Sequence, residues 1–326
     1  MIPLSVLDLV SVREGWSLGQ ALAEAPRVAR VAEEAGYRRY WVAEHHGMPG
    51  IAGAATSVVL AHVGNATSRI RLGAGGIMLP NHNPFVIAEQ FGALDALFPG
   101  RIDLGLGRAP GADARVAQML HKDIAQASQY FPQDVVELAA LFDGDPRLPL
   151  QATPGQGAAV EMWVLGSSLF GASLAARLGL PHAFASHFSP EQVDAALRLY
   201  REGFQPSARL AKPHAMVGMT VICAETDEEA RFLASSQEQG FIALRNGTPG
   251  KMKPPIAGFR ESLPPHLLAG LDHRRAASAI GSPETVRRAI TAFVERTGAD
   301  EVIVTGAVHD PEAHHRSLML TMDALA

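Results

Sequence analysis

Cysteine, basic charge and long apolar runs are all scarce in this sequence. The single cysteine, Cys223, excludes an intrachain disulfide and a zinc site built from several cysteines. It lies in the apolar run 216–224, so we expect it to fill the core. The 28 basic and 33 acidic residues leave no basic excess of the kind that nucleic-acid-binding proteins carry. No apolar run reaches the roughly 18 residues that a transmembrane helix needs.

The N-terminal residues also carry little that would direct export. Residues 1–8 contain no basic segment followed by a cleavable apolar stretch, and they resemble a strand instead. We therefore expect a cytoplasmic protein that binds neither nucleic acid nor a membrane.

What the sequence does contain is a regular alternation of short apolar runs with longer amphipathic segments. The runs predicted to be strands are 2–8, 40–43, 70 onward, 102–106, 160–165, 182–186, 214–223 and 301–305. Eight strands that alternate with helices favour an α/β fold with one domain over residues 1–326, a (β/α)8 TIM barrel. An open, doubly wound sheet is the alternative.

The chain is longer than a minimal barrel, which has about 250 residues. We place insertions after strand 4 and between strands 7 and 8, where prolines and glycines interrupt residues 245–276. Long loops in compact domains are commonly lids or binding loops. We therefore predict that residues 245–276 form a mobile insertion or lid.

The predicted second strand ends in an unusual run, Glu44-His45-His46. Function in a barrel collects where strands end. His45 shares its strand face with Trp41, and an imidazole there could act as an acid or base near neutral pH. A structural histidine, hydrogen-bonded to the backbone, is the competing interpretation.

The predicted third strand carries three glycines in four positions, Gly73, Gly75 and Gly76. Glycines weaken a strand unless a bulge or the close approach of another group requires them. They predict backbone that lies against a flat ligand or takes an unusual conformation. A tightly packed barrel layer is the alternative.

An anion site is predicted at the ends of strands 4 and 5. Gly166-Ser167-Ser168 opens a helix, so its N–H groups and hydroxyls favour an anion, helped by the helix dipole. Arg108, at the end of strand 4, could reach the same anion with a charge-assisted hydrogen bond. Ser-Ser before a helix is also an ordinary N-cap.

Several common enzyme motifs are missing. Pro110 stands where the dinucleotide fingerprint that begins at Gly105 would need its third glycine. The sequence has no zinc-binding histidine pair set by a glutamate and no Gly-x-Ser-x-Gly elbow. His314 and His315 are predicted to be exposed on the last helix, and no metal site is predicted.

Four strings along the chain are specific when taken together: Trp41 to His46, Leu79 to Pro84, Gly100 to Gly111 and Val164 to Ser168. In this order they resemble the bacterial luciferase-like flavin monooxygenases, most closely the MsnO/YhbW-like subgroup. The resemblance covers essentially the whole chain.

This resemblance implies that reduced FMN binds at the carboxyl-terminal face of the barrel. It implies that Arg108 and the turn Gly166, Ser167 and Ser168 hold the phosphate. It also implies that a non-prolyl cis peptide at Gly75-Gly76, with Ala74 close by, supports the flavin ring. By motif position, His45 corresponds to the active-site histidine of the luciferases.

The implied activity is an FMN-dependent monooxygenase. A separate NAD(P)H:flavin reductase would supply reduced FMN, oxygen would convert it to a C4a-hydroperoxide, and an organic substrate would be oxygenated. The resemblance also implies a homodimer. Met48, Met78, His82 and His187 are further candidates for lining the pocket. An F420-dependent hydride-transfer oxidoreductase and a non-catalytic flavin-binding protein remain as alternatives.

Overall fold

The fold is described from a computed structural model, in residues 2–109, 118–120 and 123–326. Residues 110–117 and 121–122, which belong to the predicted insertion after strand 4, lie outside the described residues. The strands are β1 Leu4–Asp8, β2 Arg39–Val42, β3 Arg71–Met78, β4 Ile102–Gly107, β5 Glu161–Gly166, β6 His182–Phe184, β7 Ala215–Cys223, β8 Ser278–Gly281 and β9 Glu301–Thr305.

Helices alternate with these strands. Numbered along the described chain, they are α1 Leu18–Ala35, α2 Thr56–Gly64, α3 Pro84–Leu97, α4 Ile124–Asp143, α5 Leu169–Leu178, α6 Val193–Glu202, α7 Asp227–Arg245, α8 Pro265–Arg275, α9 Pro283–Thr297 and α10 Pro311–Leu325. Short 3-10 turns cover Leu79–Asn81, Pro190–Gln192 and Arg260–Ser262. Within the described ranges, no helix is long and apolar enough to cross a membrane.

Eight parallel strands close into a barrel. The strands pair in the order β6, β5, β4, β3, β2, β1, β9, β7, and β6 also pairs with β7. The pairing of β6 with β7 removes the free edges that an open sheet would have. The predicted TIM barrel is therefore confirmed, and the open sheet is wrong.

Local sequence signals account for the bounds of α1. Ser17 accepts a hydrogen bond from the Gln20 amide while the Gln20 side chain bonds back to the Ser17 amide, which is a capping box. Gly36 ends the helix with φ of 93°, in the left-handed region that favours glycine. Such caps explain why several helices lie where the pattern of the sequence predicts them.

The insertion between β7 and β9 contains two elements that the sequence analysis did not predict. Helix α8 buries only Leu271, so its sequence has no amphipathic stripe that would predict a helix. Strand β8 has four residues and pairs with β7 outside the barrel. The loop before α8 lies on the loop after β1, where Met252 exchanges backbone hydrogen bonds with Val12 and Glu14. The mobility of residues 245–276 remains a prediction.

The prediction that His314 and His315 are exposed is wrong. His315 is 6% exposed, and its Nε2 lies 2.8 Å from Oε1 of Glu24 on α1. Burial lowers the pKa of His314 to about 4. His315 is buried and His314 half-buried, because α10 packs against α1 and β7 instead of standing free at the end of the chain. Cys223 is buried in the core, as predicted.

Charged side chains fill the amino-terminal half of the barrel interior. The Arg39 side chain has no exposed area and lies 2.8 Å from Asp103 and 3.0 Å from both Glu161 and Glu301. Burial alone would lower the pKa of Arg39, but these carboxylates raise it above its usual value. A buried charge needs such partners because it has lost its hydration.

Two tryptophans cover this charged layer. Trp41 and Trp163 pack edge to face with ring centroids 5.4 Å apart, together with Met216 and Ile303. Their indole N–H groups donate to the carboxylates below: Trp41 to Asp103 at 2.9 Å and Trp163 to Glu161 at 2.9 Å. Because the lower half is filled, a ligand can enter the barrel only from the carboxyl ends of the strands.

The buried charge network generates a stability prediction. We expect Asp103→Asn to destabilise the fold by about 3–5 kcal/mol, because it removes the buried carboxylate that Arg39 and Arg71 share. Urea unfolding followed by circular dichroism measures the loss. The matched control is Asp194→Asn, whose ion pair with Arg296 is 44–47% exposed and should cost less than about 1 kcal/mol. Equal losses in the two variants would contradict the role given to Asp103.

Candidate active site

The third strand changes direction at the mouth of the barrel. The peptide bond between Gly75 and Gly76 is cis, and the register of β3 on β4 shifts between Gly75 and Ile77. The resemblance implied a non-prolyl cis peptide at this position, and the structure contains it. Its role in supporting a flavin remains a prediction.

Packing inside the barrel explains why glycine is required at this bend. A Cβ on Gly75 would lie 2.7 Å from Cδ1 of Leu7 and 3.0 Å from the ring of Trp41, and one on Gly76 would meet Leu165. The packed-layer alternative therefore accounts for part of this motif, alongside the unusual backbone. Ala74 places its side chain in the core with the surrounding helices, so only its backbone faces the mouth.

The structure brings Arg108 to the start of α5. The Arg108 guanidinium lies 4.0 Å from the ring centroid of Phe170, a residue of the first turn of that helix. Ser168 is the N-cap residue, but its hydroxyl makes no capping hydrogen bond. The ordinary capping role considered for this serine is therefore not the one it has here.

These residues fit a phosphate group. The first amides of an α-helix have no partner within the helix, and the dipole adds partial positive charge at that end. Gly166 and Ser167 lead the chain into α5 without bulky side chains over these amides. Within the described part of the chain, Arg108 forms no ion pair with a carboxylate. A cation, free amides and a hydroxyl thus meet at one point.

A buried carboxylate joins the ends of β2 and β3. Glu44 has no exposed area. It accepts hydrogen bonds from the Met78 amide at 3.1 Å and from the side chain of Asn81 at 3.4 Å. Its oxygens also lie 2.6 Å from Nε2 of His46 and 2.9 Å from Nε2 of His82. Glu44 therefore holds together two loops that flank the cis peptide.

The partners of Glu44 also set its protonation state. Burial alone would raise its pKa, but hydrogen bonds from His82, His46 and the Met78 amide lower it below its usual value of 4.5. The motif Glu44-His45-His46 was recognised in the sequence, but no role was predicted for Glu44 itself. The sequence does contain a signal for this role. Glu44 stands beside two histidines, and the next strand end carries Pro80-Asn81-His82, whose polar side chains can hydrogen-bond to a carboxylate.

The same three side chains have the composition of a metal site. Ligand atoms of Glu44, His46 and His82 all lie within 4.8 Å of one another, and one carboxylate with two imidazoles suits several divalent metals. Hydrogen bonds between the groups account for the arrangement without an ion.

His45 lies at the end of β2, next to this cluster. Its side chain is half-buried, and burial lowers its pKa below the usual 6.5, so the imidazole is neutral at neutral pH. Its Nδ1 is buried and makes no hydrogen bond of normal geometry in the described parts of the chain, although an interaction with the Ala43 backbone raises its pKa against the effect of burial. A neutral imidazole can accept a proton at one ring nitrogen and donate one from the other.

Comparisons with known proteins decide the family. The profile of the family described as "Luciferase-like monooxygenase" matches residues 2–301. The chain belongs to this family. It is 46% identical to a luciferase-like monooxygenase of Escherichia coli K12 over 323 residues, which cover 99% of this chain and 96% of the relative.

Two further relatives extend this similarity. The N-acetyl-S-alkylcysteine monooxygenase of Bacillus subtilis is 34% identical, over 76% of this chain and 75% of its own length. The solved structure of apo-MsnO8 superposes with a TM-score of 0.89 at 32% identity, covering 99% of this chain and 98% of that one. Solved structures with the same fold include the oxygenating constituent of 3,6-diketocamphane monooxygenase in complex with FMN, at 20% identity and a TM-score of 0.72, and an F420-dependent secondary alcohol dehydrogenase, at 14% identity and a TM-score of 0.72. The family therefore points to an enzyme, and to a monooxygenase.

The role of Glu44 predicts a stability that depends on pH. The pKa of Glu44 is lower in the folded chain than its usual 4.5, so its contribution is present above that pH and is lost as pH falls through the folded-state pKa. We expect Glu44→Gln to lower the free energy of unfolding by about 1–3 kcal/mol at pH 7, since buried partners lose a charged acceptor. The difference from wild type should shrink below pH 4.5.

Urea titrations of both proteins between pH 3.5 and 7 measure this difference. Glu312→Gln is the matched control, because Glu312 is 70% exposed and pairs with Arg27 at the surface. A Glu44→Gln loss that stays constant over this pH range would show that the carboxylate charge is not what joins the two loops.

Proposed function

We propose that this family member is an FMN-dependent monooxygenase, which uses reduced FMN and molecular oxygen to oxygenate an organic substrate. One observation carries the proposal. The bend of β3 at Gly75-Gly76, the half-buried His45 and the contact of Arg108 with the start of α5 all lie at the carboxyl ends of neighbouring strands. Family membership supports the same reading.

In this proposal the protein binds FMN across the ends of β3, β4 and β5. Arg108, Ser167, Ser168 and the first amides of α5 hold the phosphate. The backbone of Gly75 and Gly76 lies under the flavin ring. FMN ends at a phosphate monoester, which matches a site made of one helix N-terminus and one arginine.

The bound cofactor supplies the chemistry that activates oxygen, and the side chains around it control protons and water. The lowered pKa of His45 keeps its imidazole neutral, so that the ring can take up or deliver a proton during turnover. Trp41 and Leu165 fill the barrel below the ring and keep water out from that side. Residues 245–276 would cover the opposite side.

Three further expectations belong to this proposal. A separate NAD(P)H:flavin reductase supplies reduced FMN, the chain acts as a homodimer, and it works in the cytoplasm. F420-dependent hydride transfer is the second candidate, favoured by an F420-dependent secondary alcohol dehydrogenase that has the same fold.

If Arg108 binds the phosphate, then removing its charge should weaken the binding of FMN but not that of riboflavin. We expect Arg108→Met to weaken FMN binding about tenfold or more, because a charge-assisted hydrogen bond contributes roughly 1.5–3 kcal/mol. Riboflavin, which has no phosphate, should bind both proteins equally. Flavin fluorescence titration measures both affinities. Arg147→Met, at an arginine that is 88% exposed, is the control. Equal weakening for FMN and riboflavin would contradict a phosphate contact.

The cofactor and the role of His45 can be tested in one series. Reduced FMN, oxidised FMN and reduced F420 are titrated anaerobically, oxygen is then admitted, and flavin absorbance is followed. We expect reduced FMN to bind best and to reoxidise at a rate different from that of free reduced FMN. His45→Asn should bind FMN as wild type does and should change the reoxidation rate and its pH profile. Preferred binding of F420 would overturn the proposal, and loss of FMN binding in His45→Asn would make His45 structural.

A further inference from the structure

The side of the mouth opposite the proposed flavin site is built by β6 and β7. In the closed barrel β7 stands four strands away from β3, and the barrel has eight strands. Gly218 follows the inward-facing Met216 by two positions, so it also faces the interior. The ring of His187 occupies the space that a side chain at 218 would need. His187 therefore lines the mouth across from Gly75-Gly76.

The inserted helix α8 places Arg274 beside His187. Strand β8, which follows α8, pairs with Thr220 to Cys223, the last residues of β7. The insertion thus lies at the carboxyl end of the barrel. The Arg274 Nε–H donates to the main-chain oxygen of His187 at 3.3 Å.

Among the described residues, Arg274 has no carboxylate partner, a feature that it shares with Arg13 but not with several other buried arginines. Arg39, Arg71 and Arg260 each pair with at least two carboxylates. Arg101 makes three hydrogen bonds to Ile70 and Thr67. Arg274 is half-buried, and burial lowers its pKa. In the described parts of the chain it forms no ion pair with a carboxylate.

Aromatic rings surround this cation. The Arg274 guanidinium lies 4.3 Å from the ring centroid of Phe241 and 5.9 Å from that of Phe188. Phe188 is 59% exposed, which is unusual for a phenylalanine next to a buried histidine. Arg245 adds a second cation 5.8 Å from Phe241. Positive charge and apolar surface are therefore combined at one edge of the mouth.

We propose that Arg274, Phe188 and Phe241 form a subsite for an organic anion, with the guanidinium binding a carboxylate and the two rings contacting its apolar body. A half-buried guanidinium without a carboxylate partner gains more from a ligand anion than an exposed one does, because less water screens the pair. The assignment of this subsite to the substrate rests on the proposed monooxygenase function. The proposal that it binds an anion does not depend on that function.

The location also suits a second molecule bound beside a flavin. The phosphate site lies at β4 and β5 and the ring support at β3, whereas Arg274 reaches the mouth from β6 and β7. A carboxylate held by Arg274 leaves the rest of the molecule free to extend toward the centre of the barrel. The proposed substrate class is therefore an apolar chain or ring that carries one carboxylate.

Isothermal titration calorimetry with hexanoate and its neutral analogue hexanamide tests the subsite, in buffer of low chloride concentration. We expect wild type to bind hexanoate at least about tenfold more tightly than hexanamide, which corresponds to 1.4 kcal/mol. Arg274→Met keeps the aliphatic stem and should bind both probes equally. Arg275→Met is the control, because Arg275 is the exposed neighbour on the same helix, and it should keep the preference.

Two outcomes would overturn this inference. One is a wild-type protein that binds hexanoate and hexanamide with equal affinity, or binds neither. The other is a preference for hexanoate that persists in Arg274→Met. The titrations are run with and without FMN, so that a failure of the flavin proposal can be distinguished from a failure of the anion site. If FMN does not bind but the hexanoate preference depends on Arg274, the anion site stands and the proposed monooxygenase function does not.

Discussion

The position of the active site depends on how the lower half of the barrel is filled. The guanidinium of Arg39 is fully buried, and carboxylates on β4, β5 and β9 form ion pairs with it. Trp41 and Trp163 hydrogen-bond to two of these carboxylates and cover the charges. Because charge and indole rings occupy this volume, the mouth above them is the space that remains for a ligand, and it opens only at the carboxyl ends of the strands.

The mouth has two different sides. On one side β3 bends at Gly75 and Gly76, where Leu7, Trp41 and Leu165 pack against its backbone. The buried carboxylate of Glu44 fixes the loops that flank this bend. On the other side an inserted helix brings a half-buried Arg274 over aromatic rings. We propose that the first side binds a flavin and the second binds the substrate, so that one barrel holds two molecules whose reacting parts meet at its centre.

The alternating strands and helices and the motifs shared with flavin enzymes could be predicted from the sequence. The burial of side chains by contacts between distant parts of the chain could not. Eight strand–helix units follow from local periodicity, and the cis peptide at Gly75-Gly76 from resemblance to a family. Helix α8 has no apolar stripe, so periodicity could not reveal it. The burial of His315 depends on Glu24, which lies almost three hundred residues earlier in the chain. The role of Glu44 likewise depends on a contact between loops of different strands.

A crystal structure of the protein with FMN bound tests the central claim most directly. The account predicts that the phosphate lies within hydrogen-bond distance of Arg108 and the first amides of α5, with the flavin ring over Gly75-Gly76. A phosphate held at the end of any strand other than β4 or β5, or a ring that does not contact Gly75-Gly76, would contradict it.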